Sequence, residues 1–463
     1  MSYAQVIVTG VLACKDVAVT DVKPLKLTRA TVTGVLGTYD HSIEFGADGD
    51  YIIIYGPNGV GKTKTLEVIH ALCRVDGRVL SGIPFVEAEV FFSEKYRIVA
   101  SSPTDPESDE LEFKLYKGKR LVKRWDYVEP EGVSWLIENT TWRPLDNGLW
   151  EDRSDGEIVS YSDLEIQFSS EISAGHHSQI PDEFKRFRDR VPVYLIETQR
   201  LRTVSFANSH FRRTVHYARR RRALASPSRI NAQADVMKTL INRAQTEHSR
   251  ITQQLDRTFP NRILEASVEP EGDKDPDIRT RYNRQNEFRS RLGRVVEVPL
   301  ANELELPERS LASWELRLLD LYLDDADKKL APFENLLRRI ELLEDILNRR
   351  LLRKFVHVNS RDGIVVYDKV NEWHIALDAL SSGEQHEIIL MFDLLFNVPE
   401  GALVLIDEPE ISLHVGWQME FIPDIQTIAQ IRELRFIVAT HSPQIINGQW
   451  EKAVRLGPSD TDF

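Results

Sequence analysis

Short apolar runs rich in β-branched and aromatic residues, separated by Gly, Pro and Asp, dominate the first two hundred positions of the chain. Gln5 to Ala13, Leu27 to Val35 and Tyr51 to Tyr55 read as strands, residues 86 to 170 continue in the same style, and Val191 to Ile196 is one more apolar strand. After Tyr55 the period changes. From Lys62 the apolar positions Leu66, Ile69 and Cys73 recur at helical spacing, which puts a Gly-rich loop between a strand and a helix. Beyond Arg200 the pattern stays helical, in one stretch ending near Phe259 and another from Pro307 to Phe355, with a charged, irregular connection expected from Pro260 to Asn302. Phe333, Leu336, Ile340, Leu343 and Leu347 form one apolar seam, which suits either a short coiled coil or an amphipathic hairpin packed on its own domain. From Val356 strands (364–368, 373–377, 402–406, 435–440) alternate with helices (384–396, 416–430). The pattern therefore predicts an α/β fold: a β-rich N-terminal lobe over 1–204, a helical insertion over 205–355, and a C-terminal lobe over 356–463.

Composition narrows the class. With 463 residues, 42% hydrophobic and 28% charged, the chain is of ordinary globular usage and long enough for about three units at ~150 residues each. Its longest apolar runs are strand-sized, well short of the ~18 residues a membrane helix needs. Two cysteines, Cys14 and Cys73, cannot build a disulfide framework, and MSYAQVIVTG has no leader pattern, so a reducing cytoplasm is the expected location and no membrane contact is expected. The net charge of −13 hides an island: from Thr198 to Ala234 there are nine arginines and no acid, leaving about −22 on the rest. From Ala301 to Asp327 the bias reverses, with eight acids against two arginines.

Candidate chemistry begins at Gly56-Pro57-Asn58-Gly59-Val60-Gly61-Lys62-Thr63, a full G-x-x-x-x-G-K-[ST] match in strand–loop–helix context. The glycines let backbone N–H groups turn toward phosphate oxygens, Lys62 reaches the β- and γ-phosphates and Thr63 ligates Mg²⁺. Thr65 is counted with the same cofactor-binding set. Leu403 to Ile406 is an apolar strand that ends in two carboxylates. Asp407 suits the Mg²⁺ shell, and Glu408 suits polarising the attacking water. His441 closes the next strand, from where it can donate to the γ-phosphate. Leu380-Ser381-Ser382-Gly383-Glu384-Gln385 opens a helix whose N-terminus suits phosphate, with Ser381, Ser382 and Gly383 as the contacts.

A phosphate loop, this signature, an acidic strand and a histidine in that order resemble the ABC-type ATPases. The long helical gap between Lys62 and Asp407 resembles the SMC and RecF branch. The resemblance implies ATP and Mg²⁺ as cofactors, a P-loop ATPase head split by an inserted helical hairpin, and a head-to-head homodimer in which one copy's signature completes the other's site. Assembly beyond the dimer is open. Ile406-Asp407-Glu408-Pro409-Glu410-Ile411-Ser412-Leu413-His414 is similar to the OLD-like bacterial ATPases, which include subunits of the Septu and PARIS anti-phage systems. Val193 to Leu201 resembles their Q-loop, which implies that Gln199 lies near Mg²⁺ and the attacking water. Ser382 replaces the first glycine of the transporter signature and His414 stands in place of the D-loop Asp, both unlike a transporter.

OLD-type proteins carry a Toprim nuclease after the head, and the 22 residues after His441 leave no room for one, so a separate effector, a nuclease by expectation, is implied. The D-x-D spacing Asp325, Asp327 reads as a solvated helix face. Arg212, Arg213, Arg219, Arg220, Arg221 and Arg222, interleaved with His210, Phe211, His216 and Tyr217, suit nucleic acid. They also suit pairing with the acidic segment 301–327 or with an acidic protein. Two functions stand side by side: an anti-phage ATPase subunit that holds or gates an effector, and a RecF-like repair ATPase that clamps DNA on ATP binding.

Overall fold

The computed structural model describes residues 24–46, 49–102, 111–127, 139–145, 149–154, 158–168, 180–197, 228–265, 275–296 and 306–457, with single positions at 133, 136, 137 and 156. The expected strand Gln5 to Ala13, Gln199 and the arginine group Arg212 to Arg222 lie outside the described residues. By packing, the chain divides into two units: Met1–Arg220 with Val398–Phe463, and Arg221–Asn397.

The first unit opens with β1 (Leu27–Val35) and β2 (Tyr39–Glu44), then β3 (Tyr51–Tyr55) and α1 (Lys62–Arg74). β4 (Glu87–Phe92), β5 (Tyr96–Ser101), β6 (Leu111–Lys117) and β7 (Arg120–Tyr127) complete an antiparallel sheet of order β2-β1-β4-β5-β6-β7. In β6 Leu111, Phe113 and Leu115 are buried while Glu112 and Lys114 are only half-buried, the alternation expected of a sheet with one wet face. β8 (Trp142–Pro144), β9 (Leu149–Asp152) and β10 (Ile158–Ser160) form a small separate sheet around Trp150. Helix α2 (Asp182–Asp189) buries Phe184 and Phe187 and leads to β11 (Val193–Glu197).

The second unit holds α3 (Arg229–Glu265), α4 (Asp275–Val296) and α5 (Ser313–Arg350), then β12 (Lys354–Asn359), β13 (Gly363–Asp368), β14 (His374–Ile375) and α6 (Ser382–Phe392). All five seam residues of α5 are buried. The insertion is not a hairpin, however. The stretch from Pro260 expected to be irregular contains α4, and Ile241 of α3, Val295 of α4 and Phe333 and Ile340 of α5 face one apolar space, so three helices share the core. The low apolar content of α4 hid it, because its stability comes from polar contacts: Arg281 pairs with Asp320, Asp324 and Asp327, and Arg291 with Glu341. The same contacts correct the reading of the D-x-D pair. Asp325 is buried against Arg262 and Asp327 also accepts from Gln285, so neither is a free solvated carboxylate.

Residues 356–397, grouped with the C-terminal lobe in the sequence reading, pack in the second unit. Polar ties account for this. Gln233 of α3 donates to the Ile389 carbonyl (3.3 Å), Arg229 pairs with Asp393 (2.7 Å), and Arg350 at the end of α5 pairs with the buried Glu387 of α6.

The chain then returns to the first unit through β15 (Leu403–Asp407), α7 (Val415–Arg432), β16 (Arg435–Thr440) and β17 (Ala453–Arg455). These close a five-stranded, all-parallel sheet of order β11-β15-β16-β3-β17. β3, β15 and β16 are unbroken apolar runs because strands inside such a sheet are covered on both faces. Among the described residues no helix is long and apolar enough to cross a membrane.

One glycine tests the packing of the second unit. Gly363 has φ +77°, and a Cβ there would sit 2.1 Å from the Ala234 carbonyl oxygen, whereas Gly118, with φ +62°, has open space around it. Gly118→Ala is expected to cost about 1–3 kcal/mol from backbone conformation alone. Gly363→Ala is expected to cost more by an overpacking contribution of about 1–3 kcal/mol. Thermal unfolding of the two variants checks this, and equal losses would contradict it.

Candidate functional site

β3, β15 and β16 lie side by side in the parallel sheet, so their C-terminal ends, Tyr55, Asp407 and Thr440, fall at one edge. That edge is where ligands bind in open α/β sheets. The loop 56–61 turns off β3 there into α1. Gly56 is needed for close approach, since a Cβ would lie 2.3 Å from the Leu456 carbonyl oxygen. Gly61 has φ +86°, and its Cβ would meet Val35 at 2.6 Å. Pro57, Asn58 and Gly59 are exposed at the crest, while Val60 is buried and anchors the loop.

Lys62 is buried and donates to the Gly56 and Pro57 carbonyls, both at 3.0 Å, which holds the loop curled. Burial lowers the Lys62 pKa from the usual lysine value, against the opposing pull of Glu408, Asp407 and Glu410. Thr63 donates to Asp407 Oδ2 at 2.9 Å, joining loop and acidic strand. Lys62 also lies 3.4 Å from His441 Nδ1. A lysine donor at Nδ1 favours the Nε2–H tautomer, and Nε2 is 3.6 Å from Glu408 Oε1. Glu408 itself has φ 48° and ψ 55°, a left-handed conformation that costs a non-glycine residue about 1–3 kcal/mol and is found preferentially at functional sites. Lys62, Thr63, Asp407, Glu408 and His441 are thus brought together.

Thr65 departs from the expectation of direct cofactor contact. It is fully buried, and its hydroxyl donates to the Gly61 carbonyl (2.9 Å) and meets His41 Nδ1 at 2.7 Å. Its helical position turns it beneath the loop, where its hydroxyl ties the loop to β2. Glu410, not singled out from sequence, accepts from the His441 N–H at 2.6 Å and from Thr440 Oγ1 at 2.8 Å. Its only advance signal was a third carboxylate two residues after Glu408.

The signature segment belongs to the second unit. Ser381 caps α6 in a capping box with Glu384, which also takes both of its oxygens to Lys354 Nζ (2.6 and 2.7 Å). Ser381 and Ser382 are exposed and Gly383 is half-buried, so the first turn of α6 is presented outward. Gln385 is turned back onto the Leu377, Asp378 and Leu380 carbonyls, fixing the approach to that turn.

The Thr63 hydroxyl and the Asp407 carboxylate are hard oxygen donors of the kind Mg²⁺ takes. Among the described residues no group of three or more His, Cys, Asp or Glu could hold a metal by itself.

Known proteins bear on this geometry. Over 79 residues, 17% of this chain and 21% of the relative, the sequence is 37% identical to a DNA replication and repair protein RecF of Chlorobium luteolum, so the chain spans about a fifth of that protein. The solved Smc head domain of Pyrococcus furiosus, with an extended coiled coil and bound to the C-terminal domain of ScpA, aligns over 94% of both chains at 15% identity with a TM-score of 0.36. Residues 52–447, from the strand before the phosphate loop to the turn after His441, match the family described as "AAA domain, putative AbiEii toxin, Type IV TA system". The chain belongs to this AAA-domain family.

Proposed function

We propose that the chain is an SMC/RecF-like ATPase subunit that binds ATP with Mg²⁺, hydrolyses it, and acts in anti-phage defence by holding or gating a separate effector. The observation that carries the ATPase reading is the Thr63–Asp407 hydrogen bond of 2.9 Å at the sheet edge that also carries Lys62, Glu408 and His441. In this reading the backbone of 56–61 and Lys62 hold the phosphates, and Thr63 and Asp407 would hold Mg²⁺, with Gln199 beside it. Bound there, the cation supplies neutralisation of charge on the β- and γ-phosphate oxygens. Glu408 accepts the proton of the attacking water, and His441 Nε2–H donates to the γ-phosphate. Ser381, Ser382 and Gly383 of a second copy complete the site, which makes a homodimer the working form, with larger assemblies open to it.

The defence role rests on the OLD-like resemblance of Ile406 to His414, and the family's description as a toxin is in keeping with it. A protein partner is supported by the second unit, where Leu352, Val370 and Trp373 are 82%, 74% and 72% exposed and lie in the connections at one end of the β12–β14 sheet. Exposed apolar groups of this kind mark contact surfaces. The cytoplasm is the location we assign, from cysteine usage.

A second reading, a DNA-clamping repair ATPase, is favoured by one observation. Five of the eight acids of the 301–327 segment are already matched, Glu315 by Arg309, Asp325 by Arg262, and Asp320, Asp324 and Asp327 by Arg281. Pairing with that segment therefore gives little account of the arginine group, and the RecF similarity points the same way.

Two measurements separate these claims. Lys62→Ala is expected to abolish ATP binding, and Glu408→Gln to keep it while lowering turnover by about 10²–10⁴-fold, the usual contribution of a positioned base. Unchanged turnover in both purified variants would overturn the site assignment. For the DNA reading, replacing Arg219 to Arg222 with Gln should weaken ATP-dependent DNA binding and flatten its salt dependence by about 0.9 per lost phosphate contact. Binding with unaltered salt dependence would remove these arginines from any DNA surface.

A further inference from the structure

A closed ring of hydrogen bonds joins the loop after β15 to the turn after β16. Glu410 takes the His441 N–H on Oε1 (2.6 Å) and the Thr440 hydroxyl on Oε2 (2.8 Å). The Ser442 N–H donates to Thr440 Oγ1 at 2.9 Å, and Ser442 Oγ donates to Gln418 Oε1 at 2.6 Å. Gln418 Nε2 returns to the first loop, at the Leu413 carbonyl (3.1 Å) and the Glu410 carbonyl (3.4 Å). Thr440, Ser442 and Gln418 are buried, so the bonds from Ser442 to Thr440 and Gln418 and from Gln418 to the Leu413 carbonyl are shielded from water, and breaking one leaves a desolvated polar group, while the Glu410–His441 bond lies at the exposed rim of the ring.

We infer that Glu410 is a positioning residue that sets the place of His441 by gripping its backbone amide, with Gln418 and Ser442 locking the same turn from behind. This deepens, and rests on, the ATPase reading. Among the described residues the His441 ring meets Lys62 at 3.4 Å and Glu408 at 3.6 Å, both long contacts, so the approach of the ring is governed by where the backbone is held. Glu410 is also two residues from Glu408, whose left-handed backbone starts the 3₁₀ turn Pro409–Ser412. One carboxylate thus keeps the two groups assigned to hydrolysis in register. The loop carrying it exposes Ile411, and α7 exposes Val415 and Met419 one and two turns on.

The test compares the full chain with its Glu410→Ala and Glu410→Gln variants by MgATP turnover, by affinity for a fluorescent ATP analogue and by thermal unfolding. Glu410→Ala should lower kcat by about 100-fold, the effect of a ~1 Å misplacement of a catalytic group, while the nucleotide Kd stays within about threefold. Glu410→Gln should recover at least about a tenth of the wild-type kcat, because its amide oxygen can still accept the His441 N–H and its NH₂ can meet Thr440. A kcat within about twofold of wild type in Glu410→Ala, a Gln variant no better than Ala, or parallel loss of kcat and nucleotide affinity would each overturn the inference, given the ~100-fold effect at stake. A wild-type chain without ATP binding or turnover would overturn the ATPase reading beneath it, a different failure from an active wild type with a silent Glu410→Ala.

Discussion

The hydrogen bond from Thr63 Oγ1 to Asp407 Oδ2 closes a loop of 344 residues. Everything chemical at this sheet edge depends on that closure. The strand carrying Asp407 and Glu408 sits beside the one ending at His441, which sits beside the one feeding the phosphate loop, all parallel and in register. A chain that inserts a whole second unit between β11 and β15 can still form such a site, because loop-closure entropy grows only with the logarithm of loop length. The central sheet supplies the rigidity: β3, β15 and β16 are buried on both faces and cannot slip register without exposing their apolar runs.

Electrostatics at the edge follow from the same closure. Lys62 is buried among three carboxylates, Asp407, Glu408 and Glu410, and donates to loop carbonyls. In the proposed reading a phosphate would give this ammonium an oppositely charged hydrogen-bond partner where the present acceptors are neutral carbonyls. Glu408 is strained into left-handed backbone, and the His441 N–H is accepted by Glu410.

Much of this was legible in sequence because it is local. The phosphate loop, the apolar strand ending in Asp407 and Glu408, and the strand ending before His441 each declare themselves within about ten residues, and β1 and β3 fall where the pattern placed them. What was not legible depends on long-range partners. Thr65 looks like part of the loop until His41, from another strand, is seen bonded to it beneath the loop. Helix α4 is so rich in arginine that it read as irregular, and only the carboxylates of α5 explain why it folds. Asp325 and Asp327 gave no sign in sequence of the Arg262 and Arg281 that engage them. The signature helix α6 went with the wrong neighbours for the same reason: Asp393 and Glu387 are held by Arg229 and Arg350, more than thirty residues away in each case.

The central claim is that the edge of the first unit is an ATPase site completed by the exposed first turn of α6 from a second copy. Mixing two inactive chains tests it directly, one carrying Lys62→Ala and the other Ser381→Arg. In a mixed dimer one composite site keeps both its phosphate loop and its signature, so ATP turnover absent from either chain alone should return on mixing. A mixture as inactive as its components, with both variants folded, would contradict the account.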